Sequence, residues 1–360
     1  MSAAGQITFV GEAPYNDGPP ARFSFESVRP QPLGYDALVA ARPSALVDIP
    51  IEWRDATVLA TNVDDLDTSL PCRVTARLQS PFTSRAIGLV KGGWLPSFLA
   101  TLDSNTTILL DRNVVSEIVA RFDGGLLKGR DPDFIDLFAN YQVRLNPMPF
   151  VMEGNQKRNP SALEVRDQLE EVTRKLAAAL PQATLVVGPD AEKGVLAMLA
   201  EARPWFDAHQ ALLVAVAPRL ASPIAASRRE EVWQACLTDA DLCGVKRTSA
   251  VLLAVLSALA DARGDGPARA VLKFKAKYSI SGAYNALCDL RAIETLVNVF
   301  VHFPQQPVQF CTSDRALALF WTGLGLQRSQ ATGAGIVSDF EFHPAVLPEW
   351  AVAWWKAASA

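Results

Sequence analysis

Cysteine and histidine are scarce in this sequence, and neither type is clustered. Its 360 residues include five cysteines and three histidines. An odd and scattered set of cysteines argues against a disulfide framework and against a zinc knuckle. A histidine-rich transition-metal site is not expected either, because His209, His302 and His343 are far apart in the sequence.

An excess of positive charge is also missing. The formal net charge is −4 and the isoelectric point is about 5.5. Binding of a nucleic acid would therefore depend on a local basic patch rather than on the charge of the whole protein. The negative net charge disfavours a nuclease. It does not exclude one, because a nuclease that releases its product need not be basic overall.

Long apolar segments and a secretory leader are not found in the sequence. The longest mainly apolar run, residues 250–260, is too short to cross a bilayer and is typical of a core helix. Residues 1–6 do not contain a basic region followed by an apolar stretch, so no signal peptide is predicted. We therefore expect a soluble, cytoplasmic protein with no membrane partner.

Composition divides the chain into three regions. Prolines recur in residues 1–85, with short strand-like pieces between them, which predicts a loop-rich, partly β N-terminal extension. Residues 86–335 predict an α/β domain with a central parallel sheet. Within that domain, residues 155–275 are mostly helical and are interpreted as an insertion. Residues 336–360 are expected to form a C-terminal tail or helix.

A short buried strand that ends on an acid and continues into a helix is the most informative stretch. Residues 106–110 are β-branched or apolar, Asp111 and Asn113 interrupt the run, and a helical stripe follows. Ligands of open α/β sheets bind beyond the carboxyl ends of the strands, so Asp111 is a candidate site residue. Asp111 and Asn113 could instead simply cap the helix, and for one isolated junction capping is the commoner role.

A second junction of the same kind near the far end of the chain strengthens the functional interpretation. An apolar strand over residues 308–311 is followed by Thr312, Ser313 and Asp314, and then by a helical pattern. If the two strands are neighbours, Asp111 and Asp314 lie at the same edge of the sheet. The alternative is that Asp314 caps the helix that follows it.

Two further acids complete the candidate set. Glu153 follows an apolar run, whereas its rival Glu164 forms a capping box with Ser161 and already has a structural role. Asp289 lies one helical turn after Asn285 in an otherwise apolar helix, where such a pair is costly to bury without a ligand or partners. Asp289 could alternatively pair with a neighbouring arginine.

Three lysines alternate with other residues at Lys273, Lys275 and Lys277. If this segment is a strand or an extended edge, the three side chains lie on one face and could contact phosphate groups. The more common role of such a face is to be solvated.

Four carboxylates at one sheet edge would favour a divalent metal ion, because like charges raise each other's pKa values. Oxygen ligands without histidine or cysteine select Mg²⁺ or Mn²⁺. Such an ion activates water and neutralises charge on a phosphodiester in the transition state. Thr312 and Ser313 could orient the water or a phosphate oxygen.

This order of motifs resembles the PIN-domain nucleases. Leu-Asp-Arg-Asn ending on Asn113 resembles the family's "LDxN" motif, and Thr312-Ser313-Asp314 resembles its "TxD" junction. The resemblance implies a three-layer α/β/α fold and metal-dependent hydrolysis of phosphodiester bonds, most often in RNA and less often in DNA. It implies that the first to fourth acids are Asp111, Glu153, Asp289 and Asp314, with Asn113 as an auxiliary polar residue.

The resemblance also suggests partners and leaves rival functions open. PIN nucleases often act as toxins or in RNA turnover, so a defence role, an inhibitor protein and a homo-oligomer are compatible with it. The long separation between Glu153 and Asp289 and the N-terminal extension depart from the minimal family pattern. A catalytically silent PIN-like scaffold that binds RNA or protein is the main alternative. A phosphatase of the haloacid dehalogenase type is disfavoured, because it needs an acid where Asn113 stands.

Overall fold

The N-terminal region forms an antiparallel sheet. The computed structural model describes residues 7–26, 29–41, 47–64, 68, 71–103, 105–333 and 335–359. Five strands and a short helix come first: β1 (Ile7–Pro14), β2 (Pro20–Glu26), β3 (Arg29–Pro30), α1 (Tyr35–Ala40), β4 (Val47–Thr61) and β5 (Cys72–Ser80). The strand order is β1-β2-β4-β3, with β5 also paired to β4. Val47, Ile49, Ile51 and Trp53 alternate along β4 and bury one face of this sheet.

A second, six-stranded sheet lies at the centre of the chain. The strands of this region are β6 (Ile87–Val90), β7 (Gly93–Pro96), β8 (Thr107–Leu110), β9 (Phe122–Asp123), β10 (Leu126–Leu127), β11 (Arg144–Asn146), β12 (Thr184–Leu185) and β13 (Val308–Thr312). The central sheet has the order β12-β11-β8-β13-β6-β7, and β9 and β10 form a separate pair. Strands β12, β11, β8 and β13 are parallel, whereas β6 runs antiparallel to β13. The chain is thus a mixed α/β protein whose central sheet contains parallel strands, as predicted.

Among the described residues, ten further α-helices surround or follow the central sheet. They are α2 (Arg112–Arg121), α3 (Met148–Glu153), α4 (Ala162–Ala179), α5 (Ala191–Leu220), α6 (Arg229–Leu242), α7 (Ala250–Ala260), α8 (Pro267–Leu272), α9 (Ile280–His302), α10 (Arg315–Leu324) and α11 (Glu349–Ser359). A hairpin of β14 (Leu326–Thr332) and β15 (Gly335–Phe340) follows α10, so β15 lies in the region that was expected to be a tail. No described helix is both long and apolar enough to cross a membrane.

Helices bury both faces of the central sheet. In β8, Ile108 and Leu110 share one buried cluster with Val114 and Ile118 of α2. Leu109, between them, belongs to the other cluster, which includes residues of α9 and α10. Because parallel strands buried on both faces offer only their ends to solvent, the carboxyl ends of β8 and β13 are where polar side chains emerge.

The region predicted as a helical insertion contributes to the central sheet. Strand β12 lies within residues 155–275 and pairs in parallel with β11, and α4 packs against α2. The long excursion between β12 and α9 is therefore made by α5 to α8, residues 191–272, which we call the helical block. Helix α7 is buried along its length within this block.

The strand considered for Lys273, Lys275 and Lys277 does not form, and the three side chains are exposed, which is the more common role of such a segment. Lys273 ends α8 in a left-handed conformation with φ 53°, and no strand follows in the described residues before α9. Phe274 turns inward, and the Tyr278 hydroxyl donates to the Leu272 carbonyl at 2.7 Å. These contacts fold residues 273–279, the lysine loop, into a compact turn.

Gly325→Ala should destabilise the fold strongly. Gly325 ends α10 with φ 58°, and a Cβ there would collide with the backbone carbonyl of Glu341. The combination of left-handed strain and backbone overlap should lower the free energy of unfolding by about 2–4 kcal/mol. Urea denaturation followed by circular dichroism measures this loss.

Gly124→Ala is the matched control for this substitution. Gly124 has the same φ of 58°, but no atom lies within 4 Å of the added Cβ. It should therefore lose only the strain contribution, about 1 kcal/mol. Equal losses in the two variants would contradict the role assigned to the Glu341 contact.

Candidate functional site

Asp111 stands where β8 ends and α2 begins. Its Oδ1 accepts a hydrogen bond from the backbone N–H of Arg112 at 2.7 Å, and its Oδ2 accepts one from the Thr312 hydroxyl at 2.5 Å. Asp111 is the N-cap residue of α2, so the capping interpretation is correct as far as it goes. The contact with Thr312 adds a partner from another strand, which capping alone does not require.

The second junction lies directly beside the first. In the parallel pair of β8 and β13, Leu110 is opposite Cys311, so Thr312 is next to Asp111. The Thr312 oxygen also accepts the N–H of Asp314 at 2.9 Å, and an Asp314 oxygen accepts the N–H of Leu317 at 2.9 Å. Thr312 thus links the Asp111 carboxylate to the backbone of Asp314.

A second pair of hydrogen bonds joins the two junctions. The Asn113 side-chain oxygen accepts the backbone N–H of Ser313 at 2.9 Å and the Ser313 hydroxyl at 3.1 Å. Asn113 and Ser313 were predicted as auxiliary polar residues, and both lie at the site. In this structure they hold the two strand ends together.

Asp111, Glu153 and Asp289 line one cleft of about 570 Å³, which we call the acid cleft. Its remaining lining residues are Arg112, Asn113, Ser116, Glu117, Ala120 and Arg130. Glu153 is the last residue of α3, and Asp289 lies in the first half of α9. Elements far apart in the sequence therefore bring three of the four predicted acids to one cavity, and Thr312 links the backbone of Asp314 to the carboxylate of Asp111.

Burial makes these acids costly to ionise. It raises the pKa of Asp111 above the usual range of an aspartate, a change that hydrogen bonds from Thr312 and the Arg112 N–H oppose and the charge of Asp314 increases. Burial likewise raises the pKa of Glu153 to about 7. A carboxylic acid with this pKa changes its charge near neutral pH.

Asp289 shows the strongest coupling to the other acids. Burial raises its pKa well above the usual range, and the charges of Asp314, Asp111 and Glu153 raise it further. The positive charge of Lys273 acts in the opposite direction. Because three separate carboxylates affect one aspartate, the four predicted acids form a single electrostatic group.

Arg112 was not singled out by the sequence, although it lies inside the predicted motif. Its Nε is 3.7 Å from a carboxylate oxygen of Glu153, and its guanidinium lies 4.7 Å from the centre of the Phe150 ring. It also donates to the Gly154 carbonyl at 3.1 Å and to the Asn155 side chain. Arg112 supplies a positive charge to the acid cleft and offsets part of the charge of Glu153.

The rival second acid, Glu164, is engaged elsewhere. It accepts the N–H of Ser161 at 2.7 Å in the predicted capping box and pairs with Arg158 at 2.7 Å. Hydrogen bonds from Ser161 and Arg158 lower its pKa to about 2. Since Glu153 lines the acid cleft and Glu164 does not, the geometry favours Glu153.

The remaining predicted residues lie around the cleft rather than in it. Asn285 is exposed on α9, one turn before Asp289, and does not line the cleft. Lys273, Lys275 and Lys277 are also exposed, on the lysine loop. The positive charge of Lys273 acts on Asp289 and lowers its pKa, so the start of this loop lies near the acid cleft.

The acids of the cleft are ligands of the type that a hard divalent cation prefers, but their side chains are not placed to coordinate one ion together. The acids offer oxygen ligands, which Mg²⁺ and Mn²⁺ prefer, and their mutual repulsion would be relieved by a cation. Within the described part of the chain, however, no three acidic, histidine or cysteine side chains are close enough to share one ion. Coordination of one ion by three of these carboxylates at once would therefore require them to move closer together.

Known proteins provide no guide to this cleft. No protein-family model, curated protein or solved structure matches the chain.

Glu153→Gln should change how stability depends on pH. The pKa of Glu153 is about 7 in the folded chain and about 4.5 without burial, so between these values the folded state binds more protons than the unfolded state. The free energy of unfolding therefore falls as pH rises through this window. In EDTA, the variant should lose part of this fall and be more stable than the wild type at about pH 8, by about 1–3 kcal/mol.

Glu164→Gln is the control, because the pKa of Glu164 is shifted in the opposite direction to that of Glu153. The pKa of Glu164 is lowered to about 2, so its contribution is present above about pH 4.5 and is lost as pH falls towards 2. This variant should leave the slope between pH 4.5 and 7 unchanged. Urea denaturation in steps of pH measures both slopes, and a wild-type slope for Glu153→Gln would contradict the burial assigned to Glu153.

Proposed function

We propose that the chain is a divalent-metal-dependent nuclease with a PIN-like three-layer α/β/α domain, acting on RNA. The observation that carries this proposal is the convergence of two strand–acid junctions. Strands β8 and β13 are parallel neighbours, and Thr312 bonds to Asp111 on one side and to the Asp314 backbone on the other. The motifs that resemble the PIN family are therefore adjacent in space, as that resemblance implies.

The four acids would form the metal site in this proposal. Asp111, Glu153 and Asp289 line the cleft, and Asp314 acts on two of them through its charge. Held by these acids, Mg²⁺ or Mn²⁺ would supply an activated water and would neutralise charge on a phosphodiester. Thr312 fixes the orientation of Asp111, because its hydroxyl donates to one carboxylate oxygen while the Arg112 N–H occupies the other.

Positive side chains near the acids support a polyanionic substrate. Arg112 and Arg130 line the cleft together with the acids, and the exposed lysine loop lies near Asp289. A phosphodiester backbone carries a negative charge at each nucleotide, so it would gain from these contacts and would need the acids to be neutralised. RNA is the preferred substrate on the basis of the family resemblance, and DNA is the alternative that the assay distinguishes.

A catalytically silent scaffold is the second candidate, and a specific observation favours it. Asp111 and Asp314 both cap helices, and the described acids are not yet close enough to share an ion. In a scaffold these residues would stabilise helix ends and nothing more. The two candidates differ in whether the protein responds to a divalent metal ion.

Asp111→Asn and Asp289→Asn should each abolish metal-dependent cleavage. The wild type should cut end-labelled single-stranded RNA with Mn²⁺ or Mg²⁺ but not with EDTA. Each variant should lose activity on the order of 100-fold or more, because a neutral amide is a poor ligand for a hard cation. Single-stranded DNA of the same sequence tests the choice of substrate.

Asp131→Asn is the matched control for these substitutions, since Asp131 is exposed and does not line the acid cleft. It should cut RNA at the wild-type rate. The nuclease proposal fails if the wild type does not cut either nucleic acid and its melting temperature does not rise with Mn²⁺. That result would favour the scaffold.

Removing two charges from the lysine loop should weaken RNA binding. In the Lys275→Ala and Lys277→Ala double variant, we expect KM for RNA to rise about 3- to 10-fold at low salt, with kcat little changed. The effect should shrink as salt increases, because screening already weakens phosphate contacts. Lys356→Ala on α11 is the control, and equal KM values in the two variants would rule out a role for the loop.

A further inference from the structure

The C-terminal end of α3 is held by three side-chain donors from other parts of the chain. Helix α3 has only six residues, so its last carbonyl groups have no partner within the helix. The Arg291 guanidinium donates to the Met152 carbonyl at 2.8 Å, and the Tyr284 hydroxyl donates to the carbonyl of Glu153 itself at 2.6 Å. Arg112 donates to the next carbonyl, that of Gly154, at 3.1 Å.

Two of these donors belong to α9, the helix that carries Asp289. Tyr284 is 2% exposed and Arg291 is 7% exposed, so both side chains are fixed by packing. Because α9 contacts the backbone of Glu153 through Tyr284 and carries Asp289 between the two donors, it fixes the spacing between the second and third acids. Hydrogen bonds from buried side chains are costly to leave unmade, which favours this arrangement.

The helical block supports the same two donors. Phe206 of α5 is 2% exposed. Its ring centre is 5.0 Å from that of Tyr284, and the Arg291 guanidinium lies 5.5 Å from it. One aromatic side chain thus packs against both residues of α9 that donate to the end of α3.

We infer that Tyr284 is a positioning residue for Glu153, and that Arg291 and Phe206 support it. Tyr284 bonds to the backbone of Glu153 rather than to its carboxylate, so it would act by placing that carboxylate in the acid cleft. The helical block then forms part of the support of the site through Phe206. This inference rests on the proposed nuclease function, in which Glu153 is a metal ligand.

Tyr284→Phe tests the inference, with Ser257→Ala as the control. Each substitution removes one buried hydroxyl that donates to a backbone carbonyl, but Ser257 bonds to Val346, away from the acid cleft and the lysine loop. We expect the Mn²⁺ concentration for half-maximal RNA cleavage to rise on the order of 10-fold in Tyr284→Phe. KM for RNA should stay near the wild-type value, and Ser257→Ala should leave both quantities unchanged.

Hydrogen exchange without metal tests the positioning separately from the activity. Backbone amides of residues 148–155 should exchange faster in Tyr284→Phe than in the wild type, while those of β8 and β13 should not change. Phe206→Leu keeps an apolar side chain but removes the ring, so it should shift exchange and Mn²⁺ dependence in the same direction by a smaller amount.

The outcomes separate the inference from the proposed function. If the wild type cuts RNA but Tyr284→Phe has wild-type Mn²⁺ dependence and exchange, the positioning role is overturned. A lower melting temperature with unchanged Mn²⁺ dependence also overturns it, because that is the result of a purely structural contact. If the wild type does not cut, the nuclease proposal fails, and wild-type exchange in Tyr284→Phe would additionally show that Tyr284 does not hold α3.

Discussion

The shared burial of carboxylates in one cleft is the constraint on which the arrangement of this protein depends. Asp111, Glu153 and Asp289 meet in a cavity where burial raises all three pKa values. Such a group is unfavourable for folding, because each acid costs free energy when it ionises. The surrounding fold offsets that cost with fixed donors, namely the N–H of Arg112 and the hydroxyl of Thr312. These donors stabilise the ends of two neighbouring strands at the same time.

One carboxylate can cap a helix and also contribute to a metal site, because a cap occupies one oxygen and leaves the charge and the other acceptor positions available. Asp314 directs one oxygen to the N–H of Leu317, and its charge still acts on Asp111 and Asp289. A carboxylate has about four sites for accepting hydrogen bonds, so one bond to a helix end leaves capacity for a ligand. A capping role therefore does not count against these acids, and the response to metal decides between the nuclease and the scaffold.

Local patterns in the sequence predicted the parts of the site that depend on local structure. The two strand–acid junctions and the capping box at Ser161 follow from short-range rules, and all three are present. The sequence left the conformation of the lysine loop open, because alternation does not reveal the inward turn of Phe274 or the bond from Tyr278 to Leu272. The contacts of Tyr284 and Arg291 with α3 span more than 130 residues, so a short-range pattern could not predict them.

The helical block, which lies between Glu153 and Asp289 in the sequence, packs on the residues that hold the end of α3. An added helical block could have packed away from the cleft, leaving the acids to be placed by the central sheet alone. Instead, Phe206 packs on Tyr284 and Arg291, the two residues of α9 that bond to the end of α3. Carboxylates with raised pKa values are sensitive to small changes in separation, because their repulsion varies with distance. Any shift of α5 against α9 would therefore change the environment of Glu153.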